Sequence, residues 1–342
     1  MDKNNILKKI ESFCYKYRYV FLVLYIALII AVPFLGITRV RMRLFIMIAL
    51  YAMLGMGLNI LTGYSGLVSL GHAGFYGIGA YVCALLQVRL GVNFWLALLA
   101  AGCFTALIGF LLGLPSLRLS GTYLSIVTLG FCEIVQMILK QWESVTNGNY
   151  GVRNIPRPEV FGIELNLANG GYLVLILILV LLTGLASLAI KKSNTGRAFT
   201  AIRDDELAAG MMGIKTSRYK IMAFVISAFI TGIAGGFYSQ LNGYIEPTNF
   251  VFNISILILS VVIVGGLGTI RGMVFGAALL QLFPEVFRFL NEWRFVIYGV
   301  LLVLMMRFRP QGALGWQSTQ PYHLSKVAKK LLAKEDDGGE VA

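Results

Sequence analysis

Six long runs of the chain carry no charged side chain. They cover residues 19–37, 44–88, 90–117, 165–190, 221–245 and 247–270. A soluble helix needs one face in water, so a soluble fold does not leave stretches of this length without Asp, Glu, Lys or Arg. A helix crosses a bilayer with about 20 mainly apolar residues, and residues 173–182 do not alternate as the strands of a membrane barrel would. The sequence therefore predicts an all-α integral membrane protein.

The runs divide into about ten predicted membrane segments that form one helical bundle. We place these segments at 19–37, 44–62, 65–86, 93–113, 121–140, 171–190, 220–241, 254–270, 272–290 and 294–308. The transmembrane domain then spans 19–310, between a cytosolic N-terminal segment, 1–18, and a cytosolic tail, 311–342. Run 19–37 is longer than the apolar core of a signal peptide, so we expect a retained span.

The distribution of Lys and Arg sets the predicted orientation. The net charge is +13, and basic residues that mark the cytosolic ends of helices explain it better than a nucleic-acid surface. With both termini in the cytosol, 20 of the 29 basic residues fall on that side of a bacterial inner membrane. The long outside loop is then 141–170, and the long cytosolic loop is 191–219. Arg39, Arg41 and Arg43 do not fit, since they fall in a short predicted outside loop.

The sequence lacks the residue patterns of several function classes. It has no G-x-x-x-x-G-K-[ST] phosphate loop, so we expect no ATP to bind on this chain. It has two histidines and neither an H-E-x-x-H nor a G-x-S-x-G pattern, so we predict no catalytic residue and no metal site. The four cysteines lack metal-type spacing and are expected to pack in the bundle. These features argue against a membrane-embedded enzyme.

Glycine is concentrated in two places. Residues 55–80 contain eight glycines interleaved with polar residues, and a second cluster, 265–276, faintly echoes the first. Such residues either break a membrane helix, so that its backbone lines a cavity, or let two helices pack closely. The sequence leaves both alternatives open. Paired glycine-interrupted spans would place a transport site between them.

Several polar side chains are candidates for a translocation pathway along segments 59–80 and 122–136. A carboxylate inside a span, such as Glu133, is costly and usually faces the bundle interior. Glu133 could instead be a structural partner of an arginine or a backbone group, and His72 a satisfied packing residue. The candidate pathway residues are Asn59, Ser65, Ser69, His72, Tyr76, Thr122, Glu133 and Gln136.

The cytosolic loop contains a predicted amphipathic helix. Residues 198–212 are expected to form one helix that ends at Gly213. Its apolar ridge would comprise Phe199, Ile202, Leu207, Met211 and Ile214. Its charged face, Arg203 to Glu206, would meet water or a partner. A helix that lies on a bilayer usually carries Lys and Arg on its polar face, so the three acids favour docking on a cytosolic protein.

At this loop the sequence resembles ABC-importer permeases, and in particular the LivM-type permeases of branched-chain amino-acid importers. The residues that match the coupling loop are Arg197, Ala198, Arg203, Asp204, Asp205, Glu206, Ala208, Ala209 and Gly213. Other matching stretches are Gly57–Asn59, Gly63–His72, Pro115–Tyr123, Thr128–Phe131 with Glu133-Ile134, Asn147-Gly148, Gly265–Thr269 and Arg309–Gly312. The resemblance extends from residue 44 to residue 316.

The resemblance implies the helical fold of the larger ABC importers and a role as one permease subunit. It implies a second, LivH-like permease, two cytosolic ATPase subunits that hold the ATP, and an extracytoplasmic solute-binding protein. The implied solutes are branched-chain amino acids, while urea or short amides stay open. A stand-alone ion-coupled secondary transporter is the alternative from another class. For the importer, we expect that changing Asp205 and Glu206 to Lys uncouples transport and leaves folding intact.

Overall fold

The computed structural model describes residues 39–117, 119, 121–160, 163–166 and 170–286, with isolated positions from 296 to 313. The predicted span 19–37 and the N-terminal segment 1–18 fall outside the described residues, as do most of 294–308 and most of the predicted tail 311–342. The helices are α1 (Arg39–Leu58), α2 (His72–Leu90), α3 (Phe94–Ser116), α4 (Thr122–Gln141), α5 (Glu143–Thr146), α6 (Gly171–Lys192), α7 (Asn194–Asp204), α8 (Glu206–Met211), α9 (Thr216–Asn242), α10 (Phe252–Gly265) and α11 (Ile270–Val286).

Three kinds of shorter element complete the described chain. Helix α1 continues as a π-helix over Asn59–Tyr64. Single 3-10 turns lie at Gly148–Tyr150 and Pro247–Phe250. Strands β1 (Glu159–Val160) and β2 (Ile163–Glu164) form a small antiparallel hairpin. Helices therefore dominate the described residues, as the sequence predicts.

Seven helices in the described part of the chain are long and apolar enough to cross a membrane. They are Arg39–Tyr64, His72–Leu90, Phe94–Pro115, Thr122–Gln141, Gly171–Lys192, Thr216–Asn242 and Pro247–Gly265, and Ile270–Phe283 is a shorter apolar helix. The polytopic helical fold is confirmed. The count of about ten spans is not, because two predicted spans lie largely outside the described residues and one is the shorter helix.

The start of the bundle differs from the prediction. Arg39, Arg41 and Arg43 belong to the first turns of α1 and not to a loop. Arginine favours helix almost as strongly as alanine does, and nothing in this stretch breaks the helix. Arg43 Nη2 donates a hydrogen bond of 2.9 Å to Asn242 Oδ1, so this arginine joins the outer ends of α1 and α9. The span predicted at 65–86 begins only at His72.

Helix α9 lies at the centre of the bundle and packs on α2, α3 and α1. Glycine permits its closest crossing, because a Cβ on Gly79 of α2 would lie 2.3 Å from the carbonyl oxygen of Gly232. A Cβ on Gly235 would lie 2.2 Å from the carbonyl oxygen of Tyr76. Of the cysteines expected to pack, Cys83 and Cys132 are buried and Cys103 is exposed.

The outer loop between α4 and α6 is fastened to neighbouring helix ends. Val152 and Ile245 exchange backbone hydrogen bonds of 3.0 Å, which joins this loop to the connection between α9 and α10. Arg89, near the end of α2, donates to the carbonyl oxygens of Ser144 and Val145 at 2.7 Å each. The loop is therefore tied to the end of α2 and to the connection between α9 and α10.

Candidate functional site

The two glycine clusters meet in the structure. We call Asn59–Gly66 together with Gly265–Thr269 the glycine junction. The Gly268 amide donates a hydrogen bond of 2.8 Å to Asn59 Oδ1, across 209 positions of sequence. A Cβ on Gly63 would lie 2.7 Å from the Gly268 nitrogen, so the two backbones approach as closely as glycine allows. The sequence left a broken helix and close packing open for the glycines. Both occur at this junction, because the helix that begins with α1 breaks here and two backbone segments also pack closely.

The chain leaves helical geometry at this junction, and local side chains bind the backbone groups that are freed. The π-helix Asn59–Tyr64 is followed by a non-helical stretch up to Gly71. Ser65 Oγ donates to the Leu61 carbonyl at 2.6 Å, and Thr62 Oγ1 donates to the Leu67 carbonyl at 3.1 Å. π-helical turns are rare and frequent at functional sites. The break is thus stabilised by side chains of the same segment.

Two basic side chains, from the end of α6 and the end of α7, bind the junction. Lys191, in the last turn of α6, donates a hydrogen bond of 3.0 Å from Nζ to the Gly268 carbonyl. Arg203, at the end of α7, donates from Nη1 to the Gly63 carbonyl at 3.0 Å. Each half of the junction therefore has a carbonyl oxygen bound by a cation, and charged donors make the stronger hydrogen bonds.

The cytosolic loop contains two helices and not the single predicted one. Helix α7 ends at Asp204 and α8 begins at Glu206, and Asp205 between them has extended backbone angles. The Asp205 carboxylate accepts hydrogen bonds from the Leu207 and Ala208 amides at 2.9 and 3.0 Å. This is the N-cap geometry that Asp favours, and it competes with a continuous helix. The prediction of one helix over 198–212 was wrong for this reason.

The break divides the predicted apolar ridge. Phe199 and Ile202 of α7 are buried against the bundle, with exposed fractions of 0% and 5%. Leu207 and Met211 of α8 are 81% and 83% exposed, as is the following Met212 at 83%. We call Leu207, Met211 and Met212 the α8 apolar face. Helix α7 thus anchors the loop, while α8 exposes large apolar side chains.

Other predicted coupling-loop residues have mainly local contacts. The Arg197 guanidinium donates to the Asn194 side chain within α7, and Arg203 pairs with Asp204 at 3.1 Å. Ala198 and Ala209 are buried, while Ala208 is partly buried. Gly213 has a φ of +85° directly after α8, which confirms its predicted place at the helix end.

The two acidic residues chosen for charge reversal hold the loop together. Asp205 caps α8, and Glu206 Oε1 lies 2.5 Å from Nζ of Lys220, whose side chain is only 3% exposed. Lysine at both positions would remove the cap and place a cation beside a buried cation. The expectation that this double change leaves folding intact conflicts with both contacts. The α8 apolar face offers a cleaner test of docking.

His72 is fully buried where α1, α2 and α9 meet. Its Nε2 lies 2.8 Å from Ser227 Oγ, and Ser227 Oγ donates to the Gly57 carbonyl at 2.7 Å. Because the serine proton is used on Gly57, His72 donates from Nε2 to Ser227 Oγ, while its Nδ1 has no hydrogen-bond partner among the described residues. The contact supports a packing role for His72.

The remaining predicted pathway residues divide between the core and the surface. Those buried inside the chain are Asn59, Ser65, Ser69, Tyr76 and Gln136. Thr122 and Glu133 of α4 are exposed instead. Glu133 was expected to face the bundle interior, but it lies on the opposite face of α4. The structure therefore does not bring the eight candidates together in one cavity.

Glu133 has no hydrogen bond or ion pair within the described residues. It is the twelfth of the 20 residues of α4, close to the middle of the span. A charged side chain at the centre of a bilayer costs about 3 kcal/mol or more if it meets lipid. The Glu133 carboxylate is thus poorly suited to contact with lipid.

Two contributors to the site, Ser227 and Lys191, had no signal in the sequence. Ser227 contacts His72 across 155 positions of sequence, Lys191 contacts Gly268 across 77, and only the folded chain brings these partners together. The described residues contain no group of three or more His, Cys, Asp or Glu side chains that could hold a metal ion.

Known permease proteins match most of this chain. The family of branched-chain amino acid transport system permease components matches residues 40–306. The high-affinity branched-chain amino acid transport system permease proteins LivM of Salmonella typhimurium and of Escherichia coli are each 38% identical to this chain, over 90% of it and 77% of their own length. The corresponding LivH of Salmonella typhimurium is 26% identical, over 78% of this chain and 91% of its own length.

No solved structure gave a significant match. The relatives are transport permeases and not enzymes, and the seven long apolar helices make the chain a multi-pass inner-membrane protein. The match over residues 40–306 covers the glycine junction, the cytosolic loop and α4. The chain therefore belongs to the family of permease components of branched-chain amino acid transport systems.

Proposed function

We propose that this permease moves branched-chain amino acids across the inner membrane as one subunit of an ATP-driven importer. The observation that carries the proposal is the cytosolic loop. It presents the α8 apolar face outward, and through Arg203 it is bonded to the glycine junction inside the bundle. A stand-alone secondary transporter has no use for such an element.

The α8 apolar face supports docking of a separate cytosolic ATPase. Leu207, Met211 and Met212 are each more than four-fifths exposed, next to the acidic Asp204 and Asp205. A short helix with apolar anchors and a charged border fits a groove on a protein partner. In this proposal ATP binds on that partner and not on the permease.

The contacts of α7 suggest how the ATPase would act on the bundle. The buried Phe199 and Ile202 hold α7 against the helices, so a push on α8 moves α7 as well. Arg203 passes this displacement to the Gly63 carbonyl at the π-helix. The π-helix is the irregular end of the span Arg39–Tyr64. We therefore expect this span to change its geometry there.

The proposal includes three further partners and an orientation. A second, LivH-like permease completes the membrane part, two ATPase copies bind the two coupling loops, and a solute-binding protein delivers the amino acid outside. The N- and C-termini lie in the cytosol, which is the side of Lys191 and the α8 apolar face. The names of the LivM and LivH relatives support such a permease pair and this solute class.

Co-purification tests the proposal directly. The tagged chain is extracted from its host in mild detergent, and proteins that elute with it are identified by mass spectrometry. We expect an ATPase and a second permease. Changing Leu207 and Met211 to Asp should release the ATPase, while Tyr150→Asp, which alters a residue 79% exposed in the outer loop, should not.

Transport assays then separate the importer from its alternatives. In the importer, uptake of leucine stops when ATP is depleted and is inhibited by isoleucine and valine but not by urea. Uptake by the chain alone that follows the proton gradient and ignores ATP would contradict the proposal. Inhibition by urea or short amides alone would change the solute and keep the mechanism.

A further inference from the structure

Helix α4 has one face that no described part of the chain covers. Its exposed side chains recur three or four residues apart, which places them on one stripe of the helix. They are Tyr123, Ile126, Val127, Glu133, Ile134, Met137 and Ile138. The other face is buried through Leu124, Thr128, Cys132 and Leu139. Glu133 is the one acidic residue in an otherwise apolar stripe.

Gly130 interrupts the stripe one turn before Glu133. A Cβ on Gly130 would meet no atom within 4 Å, so packing inside the chain does not explain this glycine. By contrast, Cβ atoms on Gly71 and Gly74 would lie 2.6 and 3.0 Å from atoms of α4. The missing side chain leaves a notch beside the carboxylate. Glycine at such a position lets a ligand approach the backbone closely.

The notch has the two features that a binding site for an amino acid with an apolar side chain needs. Glu133 supplies an acceptor for an ammonium group, and the exposed Ile126 and Ile134 supply hydrocarbon on either side of Gly130. We propose that the notch formed by Gly130, Glu133 and these two isoleucines binds the substrate on its way through the membrane. Glu133 accepts hydrogen bonds from the α-ammonium group. The identity of the substrate rests on the proposed function.

Two other environments for Glu133 are less consistent with the structure. Lipid is a poor one, because an intramembrane carboxylate normally faces a partner or water. No cation of the described residues forms an ion pair with Glu133, and Lys140 on the same helix lies seven positions on, two helical turns away. A cation of the second permease is the remaining competitor, and the experiment must distinguish it from substrate.

Weak ligand binding can be measured without the solute-binding protein. The permease–ATPase complex in nanodiscs is examined by saturation-transfer NMR with two probes, L-leucine and 4-methyl-2-oxopentanoate, which has the same carbon skeleton but no ammonium group. We expect the wild-type complex to transfer saturation to leucine and not to the keto acid. Glu133→Gln should weaken leucine binding about tenfold, as loss of a charged hydrogen bond does. Glu133→Asp should retain part of it.

Two further variants complete the design. Ile138→Gln adds the same amide to the same face without touching the notch, and it should leave the leucine signal unchanged. Gly130→Leu fills the notch from a position whose Cβ meets no atom of the described chain within 4 Å, and it should abolish the signal. An unchanged leucine signal in Glu133→Gln would overturn the proposal. So would loss of the second permease or lowered thermal stability in that variant, because either assigns the carboxylate to packing.

The readout does not depend on ATP. Failure of the wild-type complex to import leucine with ATP would contradict the proposed function. The binding pattern of the two probes would still decide the role of the notch.

Discussion

The guanidinium of Arg203 donates a hydrogen bond of 3.0 Å to the carbonyl oxygen of Gly63, across 140 positions of sequence. One residue lies in the cytosolic loop and the other in the π-helix that ends the first described span. Gly66 brings the backbones together, because a Cβ there would lie 2.8 Å from Arg203 Cγ. This contact joins a docking element to an irregular stretch of membrane helix.

Replacing Arg203 should separate ATP hydrolysis from transport. In Arg203→Ala the loss of a charged hydrogen bond costs about 1.5 to 3 kcal/mol. We therefore expect the amount of leucine imported per ATP hydrolysed to fall about tenfold or more, with the ATPase still bound. The measurement is uptake and phosphate release from the same proteoliposomes. The matched control is Arg197→Ala, which removes an arginine of the same helix that bonds only locally. Equal uptake per ATP in wild type and Arg203→Ala would show that the contact transmits nothing.

Loss of Glu206 should destabilise the chain more than loss of its partner, Lys220. Glu206→Gln leaves the buried Lys220 ammonium, 3% exposed, without its carboxylate, whereas Lys220→Met leaves a Glu206 that is 40% exposed to solvent. An unpaired buried charge costs more than an unpaired exposed one. We expect Glu206→Gln to lower the melting temperature of the purified chain by several degrees. Lys220→Met should have little effect, and the double variant should recover most of the loss. A double variant that is as unstable as the first would exclude this explanation.

Ser227 is predicted to stabilise the crossing of three helices. Ser227→Ala removes the hydrogen bonds to His72 and to the Gly57 carbonyl, and interhelical hydrogen bonds in membranes contribute about 0.6 to 2 kcal/mol. We expect a lower melting temperature in detergent. Ser187→Ala is the matched control, since Ser187 Oγ is buried in the described structure with no hydrogen-bond partner. That variant should be neutral or slightly stabilising, and equal destabilisation by both changes would contradict a role for the His72 contact.

Gly79 should not tolerate even a methyl group. In Gly79→Ala the Cβ would lie 2.3 Å from the Gly232 carbonyl oxygen, so α2 and α9 have to separate. Overpacking of this kind costs about 1 to 3 kcal/mol. The measurement is the thermal stability and the yield of the purified chain. Gly184→Ala is the control, because its nearest neighbours would be 3.9 Å away. Equal stability of Gly79→Ala and wild type would mean that the two helices can move apart freely.

The sequence predicted the features that depend on local composition. Uncharged runs of bilayer length predicted the membrane helices, and the glycines of residues 55–80 indicated either a broken helix or close helix packing, both of which the structure contains. The sequence of loop 191–219 predicted helical structure that ends at Gly213, although the single predicted helix is two. These inferences need only the hydrophobic thickness of a bilayer and the conformational range of glycine.

Features that depend on tertiary contacts were not accessible from the sequence. Asp205 was expected within a helix, but its side chain caps the next one, and a single carboxylate decides between these two outcomes. Glu133 was assigned to the bundle interior because intramembrane acids usually lie there. Its real orientation depends on which face of α4 packs on α2, and Cys132 and Leu139 determine that face. Arg43 was assigned to a loop because its partner, Asn242, comes from the far end of another helix.

The π-helix Asn59–Tyr64 also bears on how this chain tolerates insertions and deletions. Its backbone hydrogen bonds span five residues where those of an α-helix span four, so the segment holds one residue more than a regular helix of the same length. Deletion of one residue from a membrane helix normally rotates everything on one side of it by roughly 100°. Here the loss could be absorbed if the π-turn became α-helical, so relatives with a one-residue gap at this point could keep the same bundle.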